Sequence, residues 1–195
     1  QSQHLPEEGY SYAKFPLFHL IISAASLILD TEYKFAAMAS VSLAQIICNA
    51  LFIYLIAFGI FKSHKIGCLS SLLVVISNYH IFMSYWSIPN AFAGILIPIV
   101  FYLIYVLKER HEFKVCIFIL LFLLTVIWTH TLTSMCVGLL LFVTWGISYV
   151  YSYCSGSKTG YIPLFLPIVF AIGMFAWWTY ASNSIWMFSQ LIKWG

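Results

Sequence analysis

Charge is the scarcest property of this 195-residue sequence: 9 Lys and Arg and 6 Asp and Glu amount to 8% of the chain. A soluble domain carries about 25% charged residues, because most of its surface must face water. This composition therefore excludes one. A disordered chain needs high charge with low hydrophobicity, and a nucleic-acid binder needs a dense basic patch. A net charge of +3 spread along the whole chain supplies neither, and no nucleic-acid partner is expected. The five cysteines (Cys48, Cys68, Cys116, Cys136, Cys154) form no CxxC pair and lie in or beside apolar runs, where Cys behaves as a small hydrophobe. Neither a disulfide nor a metal site is expected. No HExxH, GxSxG, P-loop or DxD sequence occurs, so no complete catalytic set is present. The chain begins with Gln1, and no charged-then-apolar leader precedes its first apolar run, which reads as an interior piece of a longer protein.

What the sequence has is apolar length: 63% of its residues are hydrophobic and 19% aromatic. The uncharged gaps between charged groups can be measured against the roughly 20 residues a helix needs to cross about 30 Å of hydrocarbon. Phe15 to Leu29 gives 15 residues, Phe35 to Phe61 gives 27, Ile66 to Leu107 gives 42, Val115 to Ser157 gives 43 and Thr159 to Ile192 gives 34. One gap fits one helix, the two longest each fit a pair, and the last fits a span from about Tyr161 to Ala181. The expected fold is all-α: a polytopic transmembrane helical bundle of about six spanning helices plus one short interfacial or re-entrant helix. The short element is Phe15 to Leu29, whose length leaves both a crossing and an interfacial placement open. Turns are expected at Ser84 to Pro89, where Pro89 suits a helix first turn, and at the polar group Thr129, His130, Thr131, Thr133 and Ser134. Pro167 is expected to kink the last span.

Positive charge orients the bundle. Six crossings put Lys62, Lys65, Lys108, Arg110, Lys114 and Lys158 on one side, against Lys14, Lys34 and Lys193 on the other. The positive-inside rule makes the first side cytoplasmic. The organisation is then one domain over residues 1–195, with an external loop and interfacial helix at 1–34, six spans over 35–181 and an external tail at 182–195. Tyr85, Trp86, Trp128, Trp177, Trp178 and Tyr180 fall at the external boundary, where Trp and Tyr are enriched. The localisation expected is multi-pass in a cell membrane, with the lipid bilayer as the first partner.

Polar side chains at membrane depth are costly and mark candidate sites. His130 leads them, because the threonines around it in WTHTLTS could set its tautomer and leave one ring nitrogen facing a headgroup or phosphate. A turn histidine wetted at the interface is the plain alternative. Asn78 and His80 lie near the same boundary but two residues apart, so they point to different sides of a helix. Gln45 and Asn49 share one helix face and read as an interhelical hydrogen bond. All six acids flank the spans: Glu7, Glu8, Asp30 and Glu32 outside, Glu109 and Glu112 inside. The lack of an intramembrane acid weighs against an ion-coupled transporter.

Three segments carry a family resemblance: YSYAKFPLFHLIISA (Tyr10 to Ala24), SIPNAFAGILIP (Ser87 to Pro98) and WTHTLTS (Trp128 to Ser134). Their order, an external Pro-aromatic stretch, a short apolar segment, an acidic connector, a long helix and a Pro-initiated span, resembles the C-type polytopic membrane glycosyltransferases. The likeness is closest to members related to dolichyl-phosphate-mannose protein mannosyltransferases. It implies transfer of a sugar from a polyprenyl-phosphate donor to an acceptor on the extracytoplasmic face. It also implies that the catalytic acid lies upstream of Gln1, so the catalytic residue within this chain is unknown. Where the family often carries a second acid, this chain has Asn90. The resemblance leaves room for a divalent metal in a whole enzyme and implies no cofactor within these residues. His130, His80 and Lys14 are its candidates for the lipid phosphate, with Tyr85 and Asn90 beside them. The alternatives from other classes are a transporter or channel subunit, which the mid-span Pro98 and Pro167 favour, and a non-catalytic membrane assembly protein.

Overall fold

The computed structural model describes residues 15–110, 112–156 and 162–182. Among them the protein is all-helical, without strands. Helix α1 spans Leu17–Leu29, α2 Tyr33–Phe61, α3 His64–Val75, α4 Asn78–Trp86, α5 Pro89–Arg110, α6 Phe113–Thr129, α7 Thr131–Ser155 and α8 Phe165–Ala181. Three of these, α2, α5 and α7, are long and apolar enough to cross a membrane. The bent pair α3 and α4 makes a fourth if counted as one broken span. At 1.5 Å per residue the 17 residues of α6 and of α8 rise about 26 Å, just under the hydrocarbon thickness. The 13 residues of α1 rise only about 20 Å, so this element is too short to cross as a helix.

Local chemistry accounts for the breaks. Asp30, Lys62 and Ser87 adopt left-handed backbone just past the ends of α1, α2 and α4, the conformation that closes many helices. Pro89 then opens α5 at a position where a missing N–H costs nothing, so the turn expected at Ser84 to Pro89 narrows to Ser87 and Ile88, with Ser84 to Trp86 still in α4. The break at Ile76 and Ser77 is a departure from the unbroken span that apolar length suggests. Ser77 caps α4 by accepting the His80 N–H at 3.3 Å, and the second half-helix leaves at 56° to the first. Between α6 and α7 the turn shrinks to His130 alone, whose backbone is extended, while Thr131 to Ser134 already belong to α7. Pro167 does not kink its helix: it is the third residue of α8, among the N–H positions any helix leaves unpaired.

Two apolar clusters hold the helices together. Val100, Ile119, Leu123, Val126, Leu141, Phe170 and Trp178 join α5, α6, α7 and α8, and Phe15 is buried with them. Phe18, Ile22, Ala36, Val41, Met83 and Ala91 join α1, α2, α4 and α5, with small residues allowing close approach. Phe92 packs against both. The outer faces stay apolar, as Ile28, Phe113, Ile147 and Tyr153 show, which suits lipid rather than water as their surroundings.

Candidate functional site

The start of α5 and the turn before α7 meet in a small polar cluster. Thr133 sits one turn into α7, and its hydroxyl donates to Asn90 Oδ1 at 3.4 Å while lying 3.2 Å from His130 Nδ1. The Thr133 backbone N–H also donates to that nitrogen at 3.3 Å, so His130 is the side-chain cap of α7. A nitrogen that accepts an N–H carries no proton, which puts the imidazole proton on Nε2. His130 lies outside both helices, and burial holds its pKa below the ordinary histidine value, favouring the neutral ring. Of the threonines around it only Thr133 bonds the ring, since Thr129 donates to the Thr125 carbonyl at 2.7 Å. The starts of α5 and α7 both bring the positive ends of helix dipoles to this side of the bundle. Chemically the cluster can offer an imidazole N–H and an Asn amide to an anion.

The remaining candidates fall elsewhere. Tyr85 is exposed on α4, with its ring edge-on to Trp86, and makes no bond to the cluster. His80 is buried, and its ring lies against the backbone of Gln45 on α2 rather than beside His130. Lys14 lies outside the described residues. Asn78, two residues before His80, is exposed.

Along α2 the side chains of Ser42, Gln45 and Asn49 are all buried. Ser42 sits in a π-helical turn, Met38–Ser42, and bonds both the Ser84 carbonyl and the Ser87 hydroxyl of the α4 end. The interhelical bond expected of Gln45 and Asn49 is not made by their oxygens: Gln45 Oε1, Asn49 Oδ1 and His80 Nε2 are buried without a hydrogen-bond partner. The serines escaped notice in the sequence, although residues 42, 45 and 49 repeat at the spacing of one helix face.

At the opposite end a cavity of about 220 Å³ lies between Ile104, Leu107, Lys108, Phe113, Cys116 and Ile162. Its lining is apolar apart from Lys108, and it holds no acid or base pair that could do chemistry. Among the described residues no three His, Cys, Asp or Glu side chains gather where they could share a metal ion. All five cysteines are free. Comparison with family models, with curated proteins and with solved structures finds no match to this chain.

Proposed function

We propose that this chain is part of an integral membrane glycosyltransferase that takes a polyprenyl-phosphate sugar donor on the extracytoplasmic face of the cell membrane. The observation that carries the proposal is the His130, Thr133 and Asn90 cluster, where a neutral imidazole with its proton on Nε2 stands beside the starts of two long helices. A lipid phosphate needs N–H donors and a positive field; the His130 ring and the Asn90 amide supply the first and the two helix N-termini the second. Six crossings belong to this reading, with α6 and α8 at the lower limit of spanning length. So does the external placement of the cluster, which follows from Lys62, Lys65, Lys108 and Lys114 standing at the other ends of the helices. The cluster contains no carboxylate, so the base that activates the acceptor would come from another segment, and a divalent metal, if the whole enzyme uses one, likewise.

The test is binding to the purified chain in nanodiscs, comparing polyprenyl-phosphate hexose with the same polyprenol lacking phosphate. Phosphate-dependent, saturable binding is expected, and His130→Ala should weaken it about 10-fold to 100-fold, as the loss of a charge-assisted hydrogen bond of about 1.5 to 3 kcal/mol requires. Equal binding of the two lipids would overturn the proposal. A second reading, transport, is favoured by one observation: the break between α3 and α4 in the middle of a spanning path, where broken helices commonly frame a site.

A further inference from the structure

The polar face of α2 runs antiparallel to α3 and α4 along one seam. Ser42 meets Ser84 and Ser87, Ser71 donates to the Ala50 carbonyl at 2.9 Å, and Tyr54 meets His64 at 2.6 Å. Between the first two of these contacts lie Gln45 and Asn49, near the middle of the 29-residue α2, and His80, in the first turn of α4. Their relative exposures are 3%, 7% and 6%, and each has an atom without a partner. Leaving one such atom buried and unpaired costs about 1 to 3 kcal/mol, so three along one seam call for a guest.

All three atoms can act as acceptors. Two are amide oxygens. The third, His80 Nε2, is a ring nitrogen that accepts when the neutral ring carries its proton on Nδ1. The break at Ile76 and Ser77 ends the hydrogen-bond ladder of α3 beside these atoms, with the Ile76 N–H donating to the Leu72 carbonyl and the Ser77 N–H and hydroxyl both donating to the Val74 carbonyl. The π-helical turn that ends at Ser42 lies less than one turn from Gln45, and such turns frequently accompany functional sites.

We propose that the seam between α2 and the α3–α4 break binds a small monovalent cation, sodium, potassium or ammonium, through neutral acceptors. Half-helix ends and unwound carbonyls are a known way to hold such an ion at membrane depth. A divalent ion would call for carboxylates, and the described ones, Asp30, Glu32, Glu109 and Glu112, stand at helix ends away from the seam. The proposal is independent of the phosphate-binding reading, which rests on other residues.

The experiment is thermal unfolding of the purified chain in detergent, followed by Trp fluorescence, in the chlorides of sodium, potassium, ammonium and choline at one ionic strength. Choline, a quaternary ammonium with methyl groups around its charge, cannot be coordinated directly by oxygen or nitrogen acceptors and reports salt alone. At a tenfold excess over its Kd the bound ion should raise the midpoint by about 3 to 6 °C over choline. The double variant Gln45→Leu, Asn49→Leu should lose that difference. Competition of radioactive sodium by unlabelled sodium, potassium and ammonium chloride, read by scintillation proximity on the wild-type protein, needs no variant. Saturable competition that choline does not match supports the site and identifies the ion. Midpoints equal to choline in all three salts, with no saturable competition, would mean that water alone satisfies these atoms and would overturn the proposal. An unchanged ion-specific shift in a folded double variant would overturn it as well.

Discussion

The ring of Tyr54 occupies the space into which any side chain on Gly67 would grow: a Cβ built at Gly67 stands 2.9 Å from two carbons of the ring and 3.3 Å from the Tyr54 carbonyl oxygen. The ring has little freedom to yield. Its hydroxyl is bonded to His64 Nδ1 at 2.6 Å, and the Tyr54, Phe58 and His64 rings stack in one group at the start of the helix that carries Gly67. Close approach of α3 to α2 therefore depends on a missing methyl group.

Gly67→Ala should consequently destabilise the protein by about 1 to 3 kcal/mol through overpacking. Gly94→Ala provides the control, because a Cβ there meets nothing within 4 Å, and removing a helical glycine should stabilise by about 0.5 to 1 kcal/mol. Unfolding midpoints in one detergent would check both. If the two variants behave alike, α2 and α3 do not pack as closely as the Tyr54 contact requires.

Topology supplies the second prediction. Ser63 lies between α2 and α3 beside Lys62 and Lys65, whereas Ser87 lies between α4 and α5 beside Trp86. With positive charge inside, Ser63→Cys should react with a membrane-impermeant thiol reagent only from the cytoplasmic side and Ser87→Cys only from outside, in a background without the native cysteines. Labelling of both from one side would mean that α3 and α4 turn back at the break instead of crossing.

The third prediction concerns acid. Burial lowers the pKa of His130, so the folded protein takes up that proton less readily than the unfolded chain. The resulting stabilisation is complete above the unfolded value of about 6.5 and is lost as pH falls from there through the folded value. Wild-type unfolding midpoints should therefore drop on moving from pH 7 to pH 5, and His130→Gln should drop less over the same interval. Parallel profiles would show that His130 is solvated as freely in the folded protein as in the unfolded chain.

The helical architecture was legible because hydrocarbon forces every backbone polar group to find an internal partner, so runs of uncharged residues bounded by Lys, Glu and Arg already imply helices. The same economy of charge made His130 and the turn within Ser84 to Pro89 visible, each being a polar or backbone-restricted interruption between apolar runs. What charge gaps cannot register is a break built from a cap. Ser77 lies in an apolar stretch, and a hydroxyl that accepts one N–H leaves almost no mark on hydropathy.

Nor can periodicity name a partner. Residues 42, 45 and 49 define one face of α2 at the level of spacing alone, yet only packing brings that face against Ser84 and His80 and leaves two amide oxygens without donors. Asn90 and Thr133 are likewise 43 residues apart and meet because two helices start at the same end of the bundle. A period of 3.6 residues orients each side chain about its own helix axis, whereas the neighbour it faces depends on how whole helices pack, through contacts that no single segment contains.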